Sequence, residues 1–257
     1  MIKKRFDSYK IIDGAESYKN IQNKEKGIII FHGYSGSPSE MFLLAKKFEE
    51  KGISVYCPRI TGHGTCFDDF MDTKLSDWLR SSIDAYLEFS KRVDKIYLIG
   101  LSMGGIIASY LAYLFNIEKI ALLATPYDFP DKKFKYLSFL KFFINKIKQP
   151  NSAPALNKLE NKKYLIYYKD YFSIKSLNEL RKAILLFRKI LKKVNSDVII
   201  FHSEKDKVVS YRSPQLIYNK IGSKNKQLVY LKKSNHVLPL DYDLDIIFEN
   251  ILNFFNL

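Results

Sequence analysis

The sequence predicts an α/β protein in which a mostly parallel sheet carries helices on both of its faces. Short apolar, β-branched runs recur along the chain, and each is followed by a stretch whose apolar residues have helical spacing. Such alternation is typical of a parallel sheet with helices packed on both sides. The alternation stops between Tyr127 and Val194 and then resumes. This interruption predicts an inserted segment over the carboxyl-terminal edge of the sheet.

The first half of the chain supplies four predicted strands and three predicted helices. The strands are continuous apolar runs of the kind found in buried parallel strands, at residues 27–32, 53–57, 95–99 and 119–124. The first helix begins at residues 37–40 (SPSE), which have the pattern of a capping box with proline at the first helical position, and it ends before Gly52. The other helices are predicted from Ser76 or Asp77 to about Ser90 and over residues 103–115, with a loop at 58–73.

The second half returns to the same alternation after the insertion. Strands are predicted at residues 197–202 and 227–231, and helices at 213–221 and 241–255. Within the insertion the pattern is helical, particularly at 134–147 and 177–191. The sequence therefore predicts three parts: residues 1–126 and 195–257 form the core, and residues 127–194 form a helical cap.

Length and composition exclude several classes of protein. The 257 residues are 47% hydrophobic, enough for one large domain with a substantial core. Charged residues make up 27%, close to the globular average of about 25%, which excludes wholesale disorder. Cys57 and Cys66 are too few for a disulfide framework. Because Asp7 and Lys10 interrupt the place where an export signal needs an apolar run, we expect a cytoplasmic protein.

An uncharged stretch of 22 residues, 96–117, is long enough to span a bilayer. It contains several glycine and serine residues, and its first part is β-branched while its second part has helical spacing. We interpret it as a strand, a turn and a helix of a protein core, with a membrane span as the alternative.

The net charge of +15 is concentrated in the insertion. Between Pro130 and Lys193 there are 17 lysine and arginine residues against four acidic ones, whereas the rest of the chain has 25 against 23. A basic, aromatic-rich segment can contact anionic lipid, an acidic substrate or nucleic acid. The alternative is that the lysines simply cover solvated helix faces. Peripheral contact with anionic lipid is the partner hypothesis that we keep, and nucleic-acid binding is not expected.

The strongest motif is a G-x-S-x-G at residues 100–104, between a predicted strand and a predicted helix. In a nucleophile elbow the serine lies on a turn so sharp that side chains at the flanking positions would collide with neighbouring backbone. The turn raises the hydroxyl above the sheet at a helix N-terminus, where the amides favour developing negative charge. The motif in this position predicts that Ser102 is a nucleophile.

A serine nucleophile needs a base, and the base needs an orienting carboxylate. In this kind of site the order along the chain is serine, acid, histidine. His236 lies in a polar loop between the last predicted strand and helix and is the predicted base, whereas His202 lies inside an apolar strand and is predicted to be structural. Asp206 follows that strand and is the predicted acid, with Glu204 as the runner-up, and Asp197 lies at the wrong end of the strand.

An ester or amide hydrolase also needs two N–H donors for the oxyanion of its tetrahedral intermediate. One is predicted to be the backbone N–H of Met103, directly after the nucleophile. The other is predicted in the loop after the first strand, where Gly33 lets the backbone approach a substrate and Tyr34 supplies the N–H. His32 and His63 are predicted to be structural.

The sequence predicts no cofactor and no metal ion. The four histidines are scattered without an H-E-x-x-H pattern or a carboxylate cluster. No phosphate-binding loop occurs, and the serine in the glycine-rich segment at residues 100–105 replaces the middle glycine of a dinucleotide fingerprint.

The chain resembles the α/β-hydrolases and, within them, the small bacterial carboxylesterases grouped with monoacylglycerol lipases. The matching segments, in order, are FHGYSGSPSE, PRITGHG, LSDW, IYLIGLSMGG, HSEKDKVV and SNHVLPLD. They cover the chain from about residue 28 to its C-terminus except for the insertion. The resemblance implies the triad Ser102, Asp206 and His236 with Tyr34 and Met103 as oxyanion donors. It also implies a small helical cap after the sixth strand and ester hydrolysis without a cofactor.

The leading functional hypothesis is a serine esterase acting on short-to-medium acyl esters or monoacylglycerols, small-molecule substrates in either case. A lysophospholipase, thioesterase or acyltransferase could use the same three residues, and the basic insertion favours the lysophospholipase. A non-catalytic binding protein is the alternative from another class, and it predicts an incomplete triad. The sequence does not indicate the oligomeric state or the residues that bind the acyl chain.

Overall fold

The computed structural model describes residues 10–128, 146–148, 155–166, 168 and 171–257. Its strands are β1 (Tyr18–Asn20), β2 (Lys26–Phe31), β3 (Ser54–Cys57), β4 (Lys95–Leu101), β5 (Lys119–Leu123), β6 (Lys146–Lys148), β7 (Tyr171–Ser173), β8 (Asp197–Ser203) and β9 (Lys226–Leu231). Its α-helices are α1 (Phe42–Glu50), α2 (Phe67–Asp72), α3 (Leu75–Ser90), α4 (Met103–Phe115), α5 (Ile174–Ile190), α6 (Ser213–Lys220) and α7 (Leu244–Phe255). Short 3-10 helices lie at Pro38–Met41, Leu159–Tyr164, Leu191–Lys193 and Leu238–Leu240.

Seven strands form one sheet in the order β1-β3-β2-β4-β5-β8-β9. All of its neighbouring pairs are parallel except β1 with β3, which is antiparallel. The predicted mostly parallel sheet is therefore confirmed. Because parallel strands end at the same edge, the loops after β2, β4, β8 and β9 meet at one edge of the sheet.

Helices cover both faces of the sheet, as predicted. Alternate residues along β2 show the two sides: Ile29 and Phe31 pack with residues of α3, α4, α5 and α6, while Ile28 and Ile30 pack with residues of α1 and α7. Burial of apolar surface on each face, which contributes about 25 cal/mol per Å², stabilises this layered arrangement.

The first predicted helix differs at its start. Residues 38–41 form a 3-10 helix, the α-helix begins only at Phe42, and Ser37 makes no side-chain capping hydrogen bond. The predicted capping box is wrong because its two side chains have other partners: Ser37 Oγ bonds Ser39 Oγ at 2.7 Å, and Glu40 accepts from the backbone N–H of Gly33. The carboxylate faces the neighbouring loop and not its own helix.

Four short elements were not predicted. β1 is a three-residue edge strand, and α2 is a six-residue helix inside the region predicted as a loop. Within the insertion, β6 and β7 pair antiparallel and form a separate small sheet. Elements this short show no clear period in the sequence, so the pattern cannot reveal them.

The described part of the insertion agrees only partly with the predicted helices. Helix α5 covers the predicted segment at 177–191 except for its last residue, which begins a 3-10 helix, and it starts three residues earlier. Most of the other predicted helix lies outside the described residues, and its last residues belong to strand β6. In the described chain one strand, β1, precedes β2, so the insertion follows the fifth strand. The resemblance implies that it follows the sixth.

The uncharged stretch at 96–117 forms most of β4, the following turn and all of α4. This is the strand, turn and helix that we expected. In the described residues, no helix has both the length and the apolar character needed to cross a bilayer.

Candidate active site

Ser102 occupies a strained turn between the central strand β4 and helix α4. Its φ is +53° and its ψ is −114°, a backbone conformation that residues other than glycine rarely adopt. The Ser102 N–H donates to Leu123 O at 2.8 Å, and its carbonyl accepts from Gly105 N at 3.0 Å. These two bonds hold the turn on both sides, and the residue is 8% exposed. The geometry is that of a nucleophile elbow.

The two glycines of the motif are required by close backbone contacts. A Cβ at Gly100 would collide with the backbone of Gly104, and a Cβ at Gly104 would collide with the carbonyls of Phe31 and His32. Helix α4 can therefore start directly above β2 and β4. Met103 is its first residue, so its N–H is among the helix amides that have no acceptor within the helix.

His236 and Asp206 lie in hydrogen-bond contact at the same edge of the sheet. His236 Nδ1 is 2.9 Å from Asp206 Oδ2, and the Asp206 side chain is fully buried. The other carboxylate oxygen accepts from the backbone N–H groups of Val208 and Val209 at 2.7 and 2.9 Å. Burial opposes ionisation of Asp206, but the charge and hydrogen bond of His236 and these two amides outweigh it. The pKa of Asp206 is therefore below its usual value.

A second carboxylate, Asp241, fixes the loop that carries His236. Its Oδ2 accepts from Asn235 N at 2.8 Å, and Asn235 Oδ1 in turn accepts from His236 N at 2.9 Å. Asp241 also accepts from Asn157 N and Lys158 N, both in the insertion, at 2.8 and 3.0 Å. One buried side chain thus joins the histidine loop to the insertion.

A third carboxylate, Asp243, holds the beginning of the same loop. Its Oδ2 accepts from the backbone N–H groups of Lys233 and Ser234 and from Ser234 Oγ, at 2.8 to 3.0 Å. Asp241 lies at the start of the last predicted helix and ends the segment SNHVLPLD that carries the family resemblance, but no supporting role was predicted for Asp241 or Asp243. Two aspartates within seven residues of the predicted base were the signal available in the sequence.

The loop after β2, residues 33–36, lies beside Ser102, since a Cβ placed on Gly33 would be 3.7 Å from the Cβ of Ser102. His32 fixes this loop, as its Nδ1–H donates to Gly33 O at 2.9 Å and its Nε2 accepts from Ile60 N at 3.2 Å. Burial lowers the pKa of His32 to about 4, so the ring is neutral and the two roles of its nitrogens are compatible. In a trans peptide the N–H is opposite to the C=O. The His32 bond therefore sets the direction of the Tyr34 N–H.

The side chain of Tyr34 connects this loop to the insertion. Its hydroxyl lies 2.6 Å from Ser176 Oγ in the first turn of α5. Burial raises the pKa of Tyr34 above its usual value, so the phenol is protonated. The loop at 33–36 is therefore bonded to three separate parts of the chain, through His32, Glu40 and Tyr34.

We expect Tyr34→Phe to lower the free energy of unfolding by about 1 kcal/mol, because one buried hydroxyl loses its partner. Ester hydrolysis should persist, because the backbone N–H of residue 34 is kept. Denaturation of the wild type, Tyr34→Phe, Ser176→Ala and the double variant measures the coupling between the two hydroxyls. Strictly additive effects of the two single variants would show that this contact contributes nothing.

Within the described residues, neither remaining histidine is hydrogen-bonded to Ser102, Asp206 or His236. His202 is in β8, as predicted, and is 1% exposed, with neither ring nitrogen hydrogen-bonded within the described residues. His63 is fully buried 5.1 Å from the ring of His32, and burial lowers its pKa well below the usual value. Among the described residues, no group of histidine, cysteine and acidic side chains could hold a metal ion.

Comparison with known proteins identifies a family and several relatives that match most of this chain. The family described as serine aminopeptidase, S33, matches residues 22–243. A thermostable monoacylglycerol lipase from a Bacillus species is 30% identical over 97% of this chain and 97% of its own length. A carboxylesterase from Bacillus subtilis is 24% identical over 90% of this chain and 92% of its own length.

Solved structures agree in fold. One described with LipS and LipT, two metagenome-derived lipolytic enzymes, superposes with a TM-score of 0.86 at 28% identity, covering 95% of this chain and 98% of its own. The monoacylglycerol lipase of Paleococcus ferrophilus superposes with a TM-score of 0.75 at 16% identity, covering 93% and 97% of the two chains. At that lower identity the likeness concerns the fold alone.

Proposed function

Because the chain belongs to the serine aminopeptidase, S33, family of α/β-hydrolases, we propose that it is a serine hydrolase that cleaves carboxylic esters through an acyl-enzyme on Ser102. Its substrates in this proposal are short-to-medium acyl esters or monoacylglycerols. The observation that carries the proposal is the hydrogen bond between Asp206 and His236, at the sheet edge where the Ser102 turn projects. A nucleophile, a base and an orienting carboxylate are the groups that acyl transfer requires.

In the acylation step, Ser102 Oγ forms a bond to the ester carbonyl carbon while His236 Nε2 takes the hydroxyl proton. Asp206 accepts from Nδ1–H, which fixes the tautomer and stabilises the imidazolium that forms. The carbonyl oxygen becomes an oxyanion and accepts from the N–H groups of Tyr34 and Met103, each worth about 2.7–4 kcal/mol by analogy with other oxyanion holes. The bond to the alcohol then breaks, and His236 gives its proton to the leaving oxygen.

Deacylation repeats these steps with water as the nucleophile. His236 takes a proton from water as the water oxygen bonds to the acyl carbon, and the same two N–H groups donate to the second oxyanion. The bond to Ser102 Oγ breaks, the proton returns to that oxygen, and a carboxylic acid leaves. No step requires a cofactor.

The comparisons favour esters over peptides as substrates. The family description names an aminopeptidase, whereas two relatives that match along 90% or more of this chain are named as a lipase and a carboxylesterase. We therefore expect ester cleavage as the main activity.

The test is hydrolysis of p-nitrophenyl esters from acetate to palmitate, together with a monoacylglycerol and an aminoacyl p-nitroanilide. Protein inactivated by a fluorophosphonate serves as the background. We expect activity on esters with an optimum at short or medium chain length and little or none on the anilide. Cleavage of the anilide alone would contradict the proposal and support a peptidase.

A lysophospholipase is a second candidate, favoured by the charge of the insertion. Residues 174–193 contain seven lysine and arginine residues and one acidic residue, Glu179. Glu179 is 9% exposed, and its carboxylate accepts from Leu75 N, so it adds little negative charge to the surface. A lysophospholipid added to the same substrate series separates the candidates, since turnover above that of monoacylglycerol would favour this one.

A further inference from the structure

Glu40 is a buried carboxyl group that the proposed reaction does not use. It lies in the 3-10 helix at Pro38–Met41, next to the loop that carries Tyr34, and is 6% exposed. Its Oε2 accepts from Gly33 N at 3.2 Å. A Cβ on Gly36 would collide with its carboxyl group, so the loop leaves space for this side chain. Because burial of a charge costs free energy, a carboxyl group at this position calls for a functional explanation.

The groups around Glu40 connect it to both parts of the site. The N–H that it accepts belongs to Gly33, which lies beside Ser102. The 3-10 helix packs against β2, α1 and the 3-10 helix at Leu238–Leu240, which directly follows the histidine loop. Among the titratable groups of the described chain, His236 is the one whose charge acts on Glu40.

Burial is the larger influence on the ionisation of Glu40. It raises the pKa to about 7, against the opposing effects of the Gly33 N–H and the charge of His236. The side chain therefore changes its charge near neutral pH. An ionised carboxylate accepts more strongly from an N–H than a neutral acid does, and it favours a protonated imidazole nearby.

We propose that Glu40 is a positioning residue for the reaction: its carboxylate holds Gly33 in the loop that supplies the Tyr34 N–H and stabilises protonated His236 in the transition state. The inference rests on the proposed function, because it assumes that Ser102 is acylated with His236 as the base. The ionised form of Glu40 is the active form. Neutral Glu40 leaves the site intact but lacks the charge.

The experiment measures the rate of fluorophosphonate labelling of Ser102 against pH, by intact mass, for the wild type and Glu40→Gln. In this reaction Ser102 Oγ bonds to phosphorus, fluoride leaves, and the serine proton passes to His236, so the same groups are tested without a choice of substrate. Glutamine has the same shape and can still accept from Gly33 N, but it cannot ionise. Glu50→Gln is the matched control, since Glu50 is exposed at the end of α1 and loses the same charge.

The expected result is a pH-dependent ratio of the wild-type rate to the Glu40→Gln rate. At about pH 5.5 the two rates should be equal, because Glu40 is then neutral. At about pH 9 the wild type should be roughly threefold to tenfold faster, as expected for a charge interaction of up to about one pKa unit. The midpoint of the change should lie near pH 7. The control should match the wild type throughout.

A ratio that does not change with pH would overturn the inference, whatever its value, because a purely structural role predicts no titration. If Glu40→Gln does not fold, Gly36→Ala provides the second test. Its methyl group displaces the carboxyl group from Gly33, so slower labelling at high pH is expected, and an unchanged rate overturns the inference. If the wild type itself is not labelled at Ser102, the proposed function fails instead, so the two failures are distinguishable.

Discussion

Ser102→Ala is expected to lower kcat for ester hydrolysis by about 10⁴- to 10⁶-fold, the range seen when a serine nucleophile is removed from a protease triad. Alanine keeps the backbone but has no oxygen that can bond to the acyl carbon. The oxyanion donors and the substrate contacts remain, and they account for the residual rate. Spectrophotometric assay of the preferred p-nitrophenyl ester measures the effect, and intact mass after fluorophosphonate treatment shows whether labelling is lost.

Ser109→Ala is the matched control for this variant. Ser109 is a buried serine on the same helix, α4, and its Oγ donates to Gly105 O at 2.8 Å within that helix. The same chemical change there should leave kcat within about twofold, because the loss of one hydrogen bond within a helix affects stability more than chemistry. Equal activity of Ser102→Ala and the wild type would mean that another residue is the nucleophile.

Asp206→Asn is expected to lower kcat by about 10⁴-fold, the effect of the equivalent change in the protease template. The amide has nearly the same shape, but its NH₂ group cannot accept from His236 Nδ1–H, and if its oxygen accepts instead, no negative charge remains to stabilise the imidazolium. The ring can also adopt the tautomer that leaves no lone pair toward the serine. Activity across the pH range distinguishes this loss from a simple shift of the optimum, since the deficit should persist at every pH.

Two further carboxyl groups provide controls for Asp206. Glu204, the runner-up in the sequence analysis, is exposed, and Asp197 lies at the start of β8, where its carboxylate accepts from Asn225. Glu204→Gln and Asp197→Asn should both keep kcat close to that of the wild type. Loss of activity in Glu204→Gln together with an active Asp206→Asn would mean that Glu204, and not Asp206, is the carboxylate that orients His236.

The sheet and the positions of the candidate residues could be predicted because they follow from local rules. A parallel strand is a continuous apolar run, and the residues that follow such strands must meet at one edge. Ser102, Asp206 and His236 each come after a strand that the pattern revealed, and so does Gly33. The mostly parallel sheet is confirmed. The catalytic roles stay predictions that the variants above test.

The supporting side chains could not be predicted in the same way. Glu40 has the pattern of a capping residue, and only the tertiary structure shows that its carboxyl group accepts from Gly33 N instead. Asp241 has the pattern of a residue at the start of the last helix. Its carboxylate nevertheless accepts from the backbone N–H groups of Asn157 and Lys158, more than 80 positions earlier in the chain. A sequence pattern reports the secondary structure that a segment prefers on its own, whereas these hydrogen bonds depend on which segments meet in the tertiary structure.

Within the described residues, the predicted insertion is hydrogen-bonded to loops on both sides of the candidate site. Ser176 contacts the Tyr34 hydroxyl on one side, and Asn157 and Lys158 donate to Asp241 on the other. For protein engineering we therefore expect that residues 127–194 cannot be exchanged as an independent module. We expect a chimera that takes this segment from a relative to keep an intact site only if residues 34 and 241 are matched to their new partners, because otherwise both loops of the recipient lose a support.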